Sequence, residues 1–383
     1  MAALAGKRYF NYGGQGPLPQ PSLEAIHRAF ATIQELGPFS EAVWPFANRT
    51  TESLRARLGS AAWLGVGPRR LAFTENVTAG CVLPLWGLPW QPGEELLLSD
   101  AEHPGVVAAC RELARRQQLL LRCLPVSDLD GTPEQATAAV LERLEGALTP
   151  RTRLLALSHL LWNSGQPMPI AAVAERLALH PRHPWLLVDA AQALGSIPVA
   201  EAAAAADIYA CTGHKWCCGP EGLGVVSLSE RLLEQASPTL IGWRSLTSEA
   251  SGSSGFHTDA RRFEVATSCT PLFAGLHTSL ELLERQGSAE QRLAAIRARS
   301  AQLWRGLGAI PGLRPLLRVE PPAGLVSFHL DRGSPQELVQ ALGARGLWLR
   351  SLLSPPCLRA CTHLVTSAEE VDQLLAALAE LTA

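Results

Sequence analysis

The chain has 383 residues, of which 47% are hydrophobic, and its 33 basic and 35 acidic residues give a net charge of −2. This length and composition favour a large globular core with a smaller second unit and exclude extensive disorder. The near-neutral charge provides no broad electrostatic surface for nucleic acid or for an anionic membrane, so an enzyme acting on small molecules is the preferred class.

The cysteines and apolar runs indicate the compartment. Nine cysteines occur at irregular spacing, and the segment from Met1 to Phe10 carries no apolar stretch typical of a secretory signal. Reduced thiols are therefore expected. The alanine block 202–206, flanked by Glu201 and Asp207, is far shorter than the roughly 18 residues that span a membrane. We expect a cytoplasmic protein with no membrane partner, no nucleic-acid partner and no metal.

After an irregular Gly/Pro-rich opening, helical and apolar-strand patterns alternate to about Glu234 and predict an α/β fold with a mainly parallel sheet. Helices are predicted over 20–35, 51–64, 106–117, 133–147 and 171–179. Strands are predicted over 71–74, 95–99, 119–125, 154–158, 186–189, 208–211 and 224–226.

The segment 245–259, dominated by Ser, Gly and Thr, is the clearest change in composition and predicts a long loop. Beyond it, helices are predicted over 271–286, 290–306, 335–343 and 368–381, with a strand over 324–330. We therefore predict a large domain over 16–260 and a smaller α+β domain formed by 1–15 and 261–383.

Two predicted strands each deliver a charged residue to the same edge of the sheet. Leu186-Leu187-Val188 leads to Asp189, and the strand 208–211 leads to Thr212-Gly213-His214-Lys215. Open α/β sheets bind ligands at this edge. Pyridoxal phosphate requires a lysine amine for covalent attachment and an acid that keeps its pyridine nitrogen protonated. We therefore interpret Lys215 as the catalytic lysine and Asp189 as the pyridine partner, against the alternatives of a surface lysine and a helix N-cap.

Three further groups of polar residues belong to this edge. Asn76-Val77-Thr78, after the strand 71–74, begins a helix whose free backbone N–H groups suit a phosphate. His103 offers an imidazole that can stack on a planar ring, and Gln192, one helical turn after Asp189, can donate to a phenolate-type oxygen. Taken singly, each can instead be a plain cap or a structural residue.

These motifs resemble the class V aminotransferase family, the fold type I pyridoxal phosphate enzymes that include cysteine desulfurases, kynureninase and isopenicillin N epimerase. The resemblance covers nearly the whole chain. It is carried, in this order, by Thr74-Glu75-Asn76-Val77-Thr78, Glu102-His103, Asp189-Ala190-Ala191-Gln192 and Thr212-Gly213-His214-Lys215.

The resemblance extends the expected cofactor site and implies a homodimer with shared active sites. The run Arg262 to Thr267 resembles the segment whose threonine, here Thr267, reaches the phosphate of the neighbouring subunit. The run Ser158 to Gly165 matches the family's Ser-His strand end, but Trp162 stands where desulfurases carry asparagine, so Asn163 is the implied phenolate contact. The implied cofactor-binding residues are Asn76, Val77, Thr78, His103, Asn163, Asp189, Gln192, Thr212, His214, Lys215 and Thr267.

The substrate site is implied by residues near both ends of the chain. The run Cys357 to Cys361 resembles the family's carboxylate-binding segment, so Arg359, joined by Arg350, is the expected clamp for an amino acid carboxylate. Gly13 and Gly14, in the opening run, complete the expected substrate-binding set.

The short spacing of the two arginines sets the expected reaction. In desulfurases a long loop between them carries the nucleophilic cysteine, whereas here eight residues separate Arg350 from Arg359. We interpret Cys357, the single cysteine between them, as a packed small hydrophobe in a Pro355-Pro356 turn.

Together with the opening Phe10 to Gly16, this pattern is similar to that of cystine/cysteine C–S lyases of cyanobacterial type. The resemblance implies β-elimination of L-cystine or L-cysteine driven by Lys215, giving pyruvate, ammonia and a persulfide for a sulfur or iron–sulfur acceptor protein. Three alternatives stay open: a desulfurase that uses Cys357 and yields alanine, another enzyme of the family such as an epimerase or aminotransferase, and a cofactor-free scaffold.

Overall fold

The computed structural model describes residues 6–248 and 255–383. The α-helices are α1 (Gln20–Leu36), α2 (Val43–Gly59), α3 (Val77–Trp86), α4 (Pro104–Gln117), α5 (Pro133–Ala147), α6 (Ile170–Ala178), α7 (Ala200–Ala205), α8 (Glu230–Gln235), α9 (Thr270–Glu284), α10 (Ala289–Gly308), α11 (Pro335–Ala344) and α12 (Ala368–Thr382). The strands are β1 (Arg8–Tyr9), β2 (Leu71–Thr74), β3 (Glu95–Ser99), β4 (Leu120–Leu124), β5 (Thr152–Ser158), β6 (Trp185–Asp189), β7 (Ile208–Thr212), β8 (Gly224–Leu228), β9 (Leu313–Pro315), β10 (Leu325–Leu330), β11 (Leu347–Trp348), β12 (Arg350–Leu353) and β13 (Pro356–Cys361).

The large unit is built on a seven-stranded sheet in the order β2-β8-β7-β6-β5-β3-β4. Neighbouring strands from β7 to β4 are parallel, and β8 is antiparallel to β2 and to β7. Helices cover both faces, so the side chains of β5 alternate between two cores: Leu155 and Leu157 pack on one face, Leu154 and Ala156 on the other. The predicted α/β class with a mainly parallel sheet is confirmed.

The small unit contains an antiparallel sheet in the order β12-β13-β10-β9. Its core includes Phe328 of β10, Leu358 of β13 and Val371 of α12. The N-terminal segment joins this unit because β1 pairs with β11 and Phe10 is buried in the same core. Residues 8–10 thus pack with the small unit, whereas Tyr12 packs with Leu160 and Trp216 of the large one, and the predicted assignment of residues 1–15 to the small domain stays a prediction.

The packing of α9 argues for a different domain boundary. Phe273, Leu276 and Leu280 lie in the core of the large unit, and α9 packs against α1 and α2. The predicted division at residue 260 followed a change in composition, whereas the buried face of α9 places the division between α9 and α10. The loop predicted over 245–259 lies partly outside the described residues, and at its ends Leu246 forms a bridge with Phe256.

Several elements match the sequence expectation, and one helix does not. The strands predicted over 71–74 and 95–99 and the helix predicted over 133–147 are confirmed with the same bounds. The bounds of the helix predicted over 51–64 are wrong, since α2 begins at Val43 and ends at Gly59. Pro45 is tolerated there because it lies in the first turn, where its missing N–H breaks no helical bond. Within the described ranges no helix has the length and apolar character to cross a membrane.

Candidate active site

A cleft of about 350 Å³ opens at the carboxyl ends of the central strands. Ser158 and Asp189 are the last residues of β5 and β6 and are Cα partners in the strand register. The cleft is lined by Val77, Thr78, His103, Ser158, Leu160, Trp162, Asp189, Ala191, Gln192 and Lys215. The structure therefore brings six of the predicted cofactor residues, from four chain segments, to one place.

The surroundings of Lys215 lower the pKa of its amine. Burial in the cleft lowers the pKa of Lys215 to about 8; Arg359 and Arg350 act in the same direction, and Asp189 opposes them. A larger fraction of this amine is therefore neutral near pH 8 than on a surface lysine. The chain has one other lysine, Lys7, a scarcity that already marks Lys215 in the sequence.

The backbone around Lys215 is held by the N-terminal segment and by a buried histidine. The N–H of Gly16 donates to the carbonyl of His214 at 2.7 Å. A Cβ atom on Gly16 would lie 2.2 Å from the Lys215 carbonyl oxygen, so only glycine fits this approach. The Nε2 of His363 lies 3.0 Å from the carbonyl oxygen of Trp216. The lysine motif is thus fixed on both sides by residues remote in sequence.

Asp189 has one carboxylate oxygen engaged locally. Its Oδ1 accepts from the backbone N–H of Ala191 at 2.9 Å, which closes the turn after β6. The residue is 5% exposed and borders the cleft. Oδ2 remains available to a proton-bearing nitrogen, the role predicted for this residue.

Gln192 is held by two hydrogen bonds that sequence reasoning missed. Its Nε2 donates to the carbonyl of Gly13 at 2.9 Å, and its Oε1 accepts from the indole N–H of Trp216 at 2.9 Å. One amide hydrogen is left for the predicted donation to a phenolate-type oxygen. The amide orientation is thereby fixed by the lysine segment and by the opening Gly motif together.

His103 lies at the cleft with its ring edge-on to Trp162, at 5.7 Å between ring centroids. Its Nδ1 accepts from the N–H of Gly105 at 3.2 Å, and burial lowers the pKa of the imidazole. The ring is therefore neutral at pH 7 and oriented by its own helix terminus. The predicted stacking on a planar ring stays a prediction.

The predicted phosphate-binding residues at the start of α3 have two different roles. The side chain of Asn76 is the N-cap of α3, with Oδ1 accepting from the N–H of Ala79 at 2.9 Å. Val77 and Thr78 border the cleft, and their backbone N–H groups lie in the first helical turn, where they have no intrahelical acceptor. The helix terminus can thus bind an anion through its backbone, whereas the Asn76 side chain serves the helix.

Five predicted cofactor residues lie outside the cleft lining: Asn76, Asn163, Thr212, His214 and Thr267. Thr212 is buried, and its hydroxyl lies 2.7 Å from Nδ1 of His214, so these two residues bind each other. Thr267 is exposed in a separate surface cleft with Glu75. The predicted contact of Thr267 with the phosphate of a neighbouring subunit stays a prediction.

The structure places Trp162, rather than the predicted Asn163, at the cleft. Asn163 is buried, and its Oδ1 accepts from the N–H of Ser164 at 2.9 Å. This local bond closes the turn after β5 and engages the side-chain oxygen of Asn163. The phenolate contact by Asn163 stays a prediction.

Arg359 is a buried guanidinium with unused donors. It is 1% exposed, and its Nη1 donates to the carbonyl of Trp162 at 2.6 Å. Its Nε and Nη2 have no hydrogen-bond partner among the described residues, and burial lowers the pKa of the group. A Cβ atom on Gly13 would lie 3.0 Å from Nη2, so the unused side of the guanidinium faces this glycine. An anionic oxygen there would satisfy a charge that is otherwise costly to bury.

The segment between the two arginines is a β-hairpin rather than a loop. Arg350 and Arg359 are Cα partners across β12 and β13, and Leu352 is the partner of Cys357. Cys357 is therefore a strand residue, which corrects its predicted place in a turn, and its buried state is as predicted. Burial raises the pKa of its thiol to about 11, so it is protonated at neutral pH.

The family model for aminotransferase class V matches residues 9–374 of the chain. A solved structure described as a complex between the cystine C–S lyase C-DES and its reaction product cysteine persulfide is 42% identical, with a TM-score of 0.92 over 98% of both chains. A second C-DES structure, a variant with glycine covalently linked to the pyridoxal phosphate cofactor, has the same identity and TM-score over 98% of this chain and 97% of that one.

Two curated relatives have other names. An isopenicillin N epimerase from Streptomyces clavuligerus is 32% identical over 97% of this chain and 94% of the relative. A protein named probable cysteine desulfurase from Pseudomonas aeruginosa is 31% identical over 98% of this chain and 94% of the relative. The similarity therefore extends over whole chains with more than one activity.

Proposed function

The chain belongs to the aminotransferase class-V family, and on that premise we propose that it is a pyridoxal phosphate-dependent lyase that cleaves the C–S bond of L-cystine or L-cysteine. The family resemblance and the fold type I architecture expected from the sequence are confirmed. From L-cystine the products are pyruvate, ammonia and cysteine persulfide, and from L-cysteine they are pyruvate, ammonia and sulfide. The C-DES structures, 42% identical to this chain, support both the cofactor and the reaction.

The residues at the cleft fit this cofactor. Lys215 offers an amine of lowered pKa, Asp189 has an oxygen left for a ring nitrogen, and the first turn of α3 offers free N–H groups to a phosphate. One remaining amide hydrogen of Gln192 suits a phenolate-type oxygen. When bound there, pyridoxal phosphate supplies an electron sink for the electrons released at Cα of an amino acid.

The protein residues perform the proton and charge steps. Arg359 binds the substrate carboxylate through the two nitrogens that lack a partner, which orients Cα in the cleft. The amine of Lys215, with a pKa of about 8, can take the Cα proton and give it back near neutral pH. Because both residues are held by buried contacts, the proton acceptor and the carboxylate clamp keep a fixed separation.

The pairing of Arg350 with Arg359 is the observation that favours a lyase over a desulfurase. A hairpin with strand residues at both arginines leaves no mobile segment to bring a cysteine to the substrate sulfur. Cys357 is buried with its thiol protonated, so it is a poor nucleophile. The sulfur then leaves with the second half of the substrate: L-cystine and water yield pyruvate, ammonia and cysteine persulfide, with the Cβ–S bond broken.

The named relatives supply a second candidate, an epimerase. The similarity to an isopenicillin N epimerase, at 32% identity, extends over 97% of this chain. Removal of a proton at Cα is the first step of inversion as well as of elimination. The two reactions differ in whether the Cβ–S bond breaks. An epimerase would produce the other enantiomer of the substrate and no pyruvate.

The functional unit is proposed to be a homodimer in the cytoplasm. The exposed position of Thr267, away from the Lys215 cleft of the same chain, supports a contribution from a second subunit. All nine cysteines are free thiols, which supports a reducing compartment. The persulfide product suits transfer to an acceptor protein in sulfur mobilisation or iron–sulfur cluster supply.

The test is to incubate the purified protein with L-cystine and with L-cysteine in separate reactions and to measure pyruvate, alanine, persulfide and the enantiomer of each substrate. A lyase yields pyruvate from both substrates, with cysteine persulfide from L-cystine and sulfide from L-cysteine. Alanine without pyruvate would contradict the proposal in favour of a desulfurase, and inversion without pyruvate would favour an epimerase. Protein that is purified with added pyridoxal phosphate and shows no visible cofactor absorbance would instead favour a scaffold.

A further inference from the structure

We propose that Glu102 is a positioning residue that places a second buried negative charge behind Asp189 and thereby keeps the ring nitrogen of the bound cofactor protonated. This inference rests on the proposed function, because it concerns the same cofactor. The proposed chemistry uses Asp189 as the direct partner of the ring nitrogen and assigns no role to Glu102.

Glu102 is a buried carboxylate with a full set of donors. It is 6% exposed and follows β3 at the edge of the sheet that carries the cleft. Its Oε1 accepts from the Ser99 hydroxyl at 2.6 Å and from the Ser158 N–H at 2.7 Å, and its Oε2 accepts from the Ser158 hydroxyl at 2.7 Å. Because all three of these neighbours donate hydrogen bonds to the carboxylate, they stabilise its ionised form.

Ser158 connects Glu102 to the cofactor acid. Ser158 ends β5, borders the cleft, and is the Cα partner of Asp189 at the end of β6. In the sheet order, β5 lies between β3 and β6, so the two carboxylates lie on opposite sides of one serine. The Glu102 carboxylate contacts Ser158 directly, and Ser158 lies one strand spacing, about 4.8 Å, from Asp189, so the two charges lie within roughly 10 Å of each other.

No base neutralises Glu102. Among the described residues no lysine or arginine forms an ion pair with it; the titratable groups that face it are Asp189 on β6, Cys81 on α3 and Cys110 on α4, beside its chain neighbour His103. Burial raises the pKa of Glu102 to about 7, while the bonds from the two serines lower it. Above pH 7 the carboxylate is therefore ionised with no compensating cation of its own.

Such a charge acts on the cofactor through Asp189. A negative charge in a low-dielectric site raises the proton affinity of a nearby cationic nitrogen, and at roughly 10 Å the effect is about one pH unit. Asp189 alone would have to hold the ring proton if Glu102 were neutral. The arrangement strengthens the electron sink without placing Glu102 in contact with substrate or cofactor.

The test compares the binding of two ligands to cofactor-free protein at pH 8: pyridoxal phosphate, and its analogue in which the ring nitrogen is replaced by CH. Glu102→Gln keeps the shape and removes the charge. We expect a loss of about tenfold in affinity for pyridoxal phosphate and no change for the analogue. The matched control, Glu134→Gln, removes an exposed carboxylate on α5 and leaves Glu102 and its hydrogen bonds unchanged, so the ratio of the two affinities should stay at the wild-type value.

A second measurement is the pH titration of the visible absorbance of cofactor-loaded protein, whose midpoint should fall in Glu102→Gln by about one pH unit. If that variant does not fold, Glu102→Asn serves as the second neutral variant. Equal losses for both ligands, or no loss for either, would overturn the inference while leaving the proposed function intact. Wild-type protein that binds neither ligand would overturn both.

Discussion

Arg350 and Arg359 face each other as Cα partners across the hairpin formed by β12 and β13. Arg350 is exposed, whereas Arg359 is almost fully buried and has two nitrogens without a partner among the described residues. The pairing fixes the backbone register of the two arginines and closes the chain between them into a hairpin. Under the proposed function, Arg359 then binds the substrate carboxylate, and the hairpin keeps Cys357 in a strand.

Replacing Arg359 with lysine is expected to raise KM for L-cystine by about 100-fold and to change kcat much less, because an ammonium cannot bind a carboxylate through two parallel hydrogen bonds. Steady-state kinetics of pyruvate formation measures this. The control is Arg350→Lys at the exposed position, for which the increase in KM should be below about tenfold. A variant at Arg359 with normal KM would contradict its role as the carboxylate clamp.

Cys357→Ala is expected to retain turnover of L-cystine within about twofold, because the thiol is buried in a strand and protonated. The small cavity left by the sulfur should cost about 1 kcal/mol of stability. Turnover is assayed as pyruvate release, with the exposed Cys123→Ala as the matched control for a change in thiol number. Loss of turnover in the first variant alone would favour the desulfurase reaction.

Gly16→Ala is expected to lower the free energy of unfolding by about 2–3 kcal/mol and to weaken cofactor binding, since the added methyl group would meet the Lys215 carbonyl oxygen. Urea unfolding and a pyridoxal phosphate titration provide the two readouts. Gly146→Ala is the matched control, because a Cβ atom there meets nothing within 4 Å. Equal free energies of unfolding for the two variants would show that the close approach at Gly16 does not affect stability.

Lys215→Met is expected to stabilise the cofactor-free protein by about 2 kcal/mol at pH 7. Burial lowers the Lys215 pKa from 10.5 to about 8, so between these two pH values the unfolded chain binds more protons than the folded one. The stability of the wild type should then rise with pH through that window, and the advantage of the variant should fall to below about 1 kcal/mol at pH 10 and vanish above the unfolded pKa of 10.5. Urea unfolding at pH 7 and pH 10 tests this, with Lys7→Met, at an exposed position, as the control.

The location of the site could be predicted from local sequence because its residues follow strands directly. Asp189 and Lys215 are preceded by apolar runs, and the position of a strand end at a sheet edge needs no knowledge of distant contacts. Val77, Thr78 and His103 follow strands in the same way. The structure brings all five to one cleft.

What the sequence could not provide depends on contacts between remote segments. The clamp of Gly16 on the lysine motif joins residues almost 200 positions apart, and the roles of Gln192 and Glu102 follow from hydrogen bonds to other strands and loops. The position of Trp162 in the cleft lining and the local bond of Asn163 are likewise details that a pattern of residue types does not reveal. The hairpin was missed because its two arginines were interpreted only by their spacing.

The most direct measurement of the central claim is the product ratio from L-cystine with purified, cofactor-loaded protein in the absence of added thiol. Pyruvate, ammonia and cysteine persulfide are quantified from the same reaction, with the Lys215→Ala variant as the blank. We predict one pyruvate and one cysteine persulfide for each cystine consumed, with no alanine and no sulfur on Cys357. Alanine in place of pyruvate, with sulfur bound to Cys357, would contradict the account.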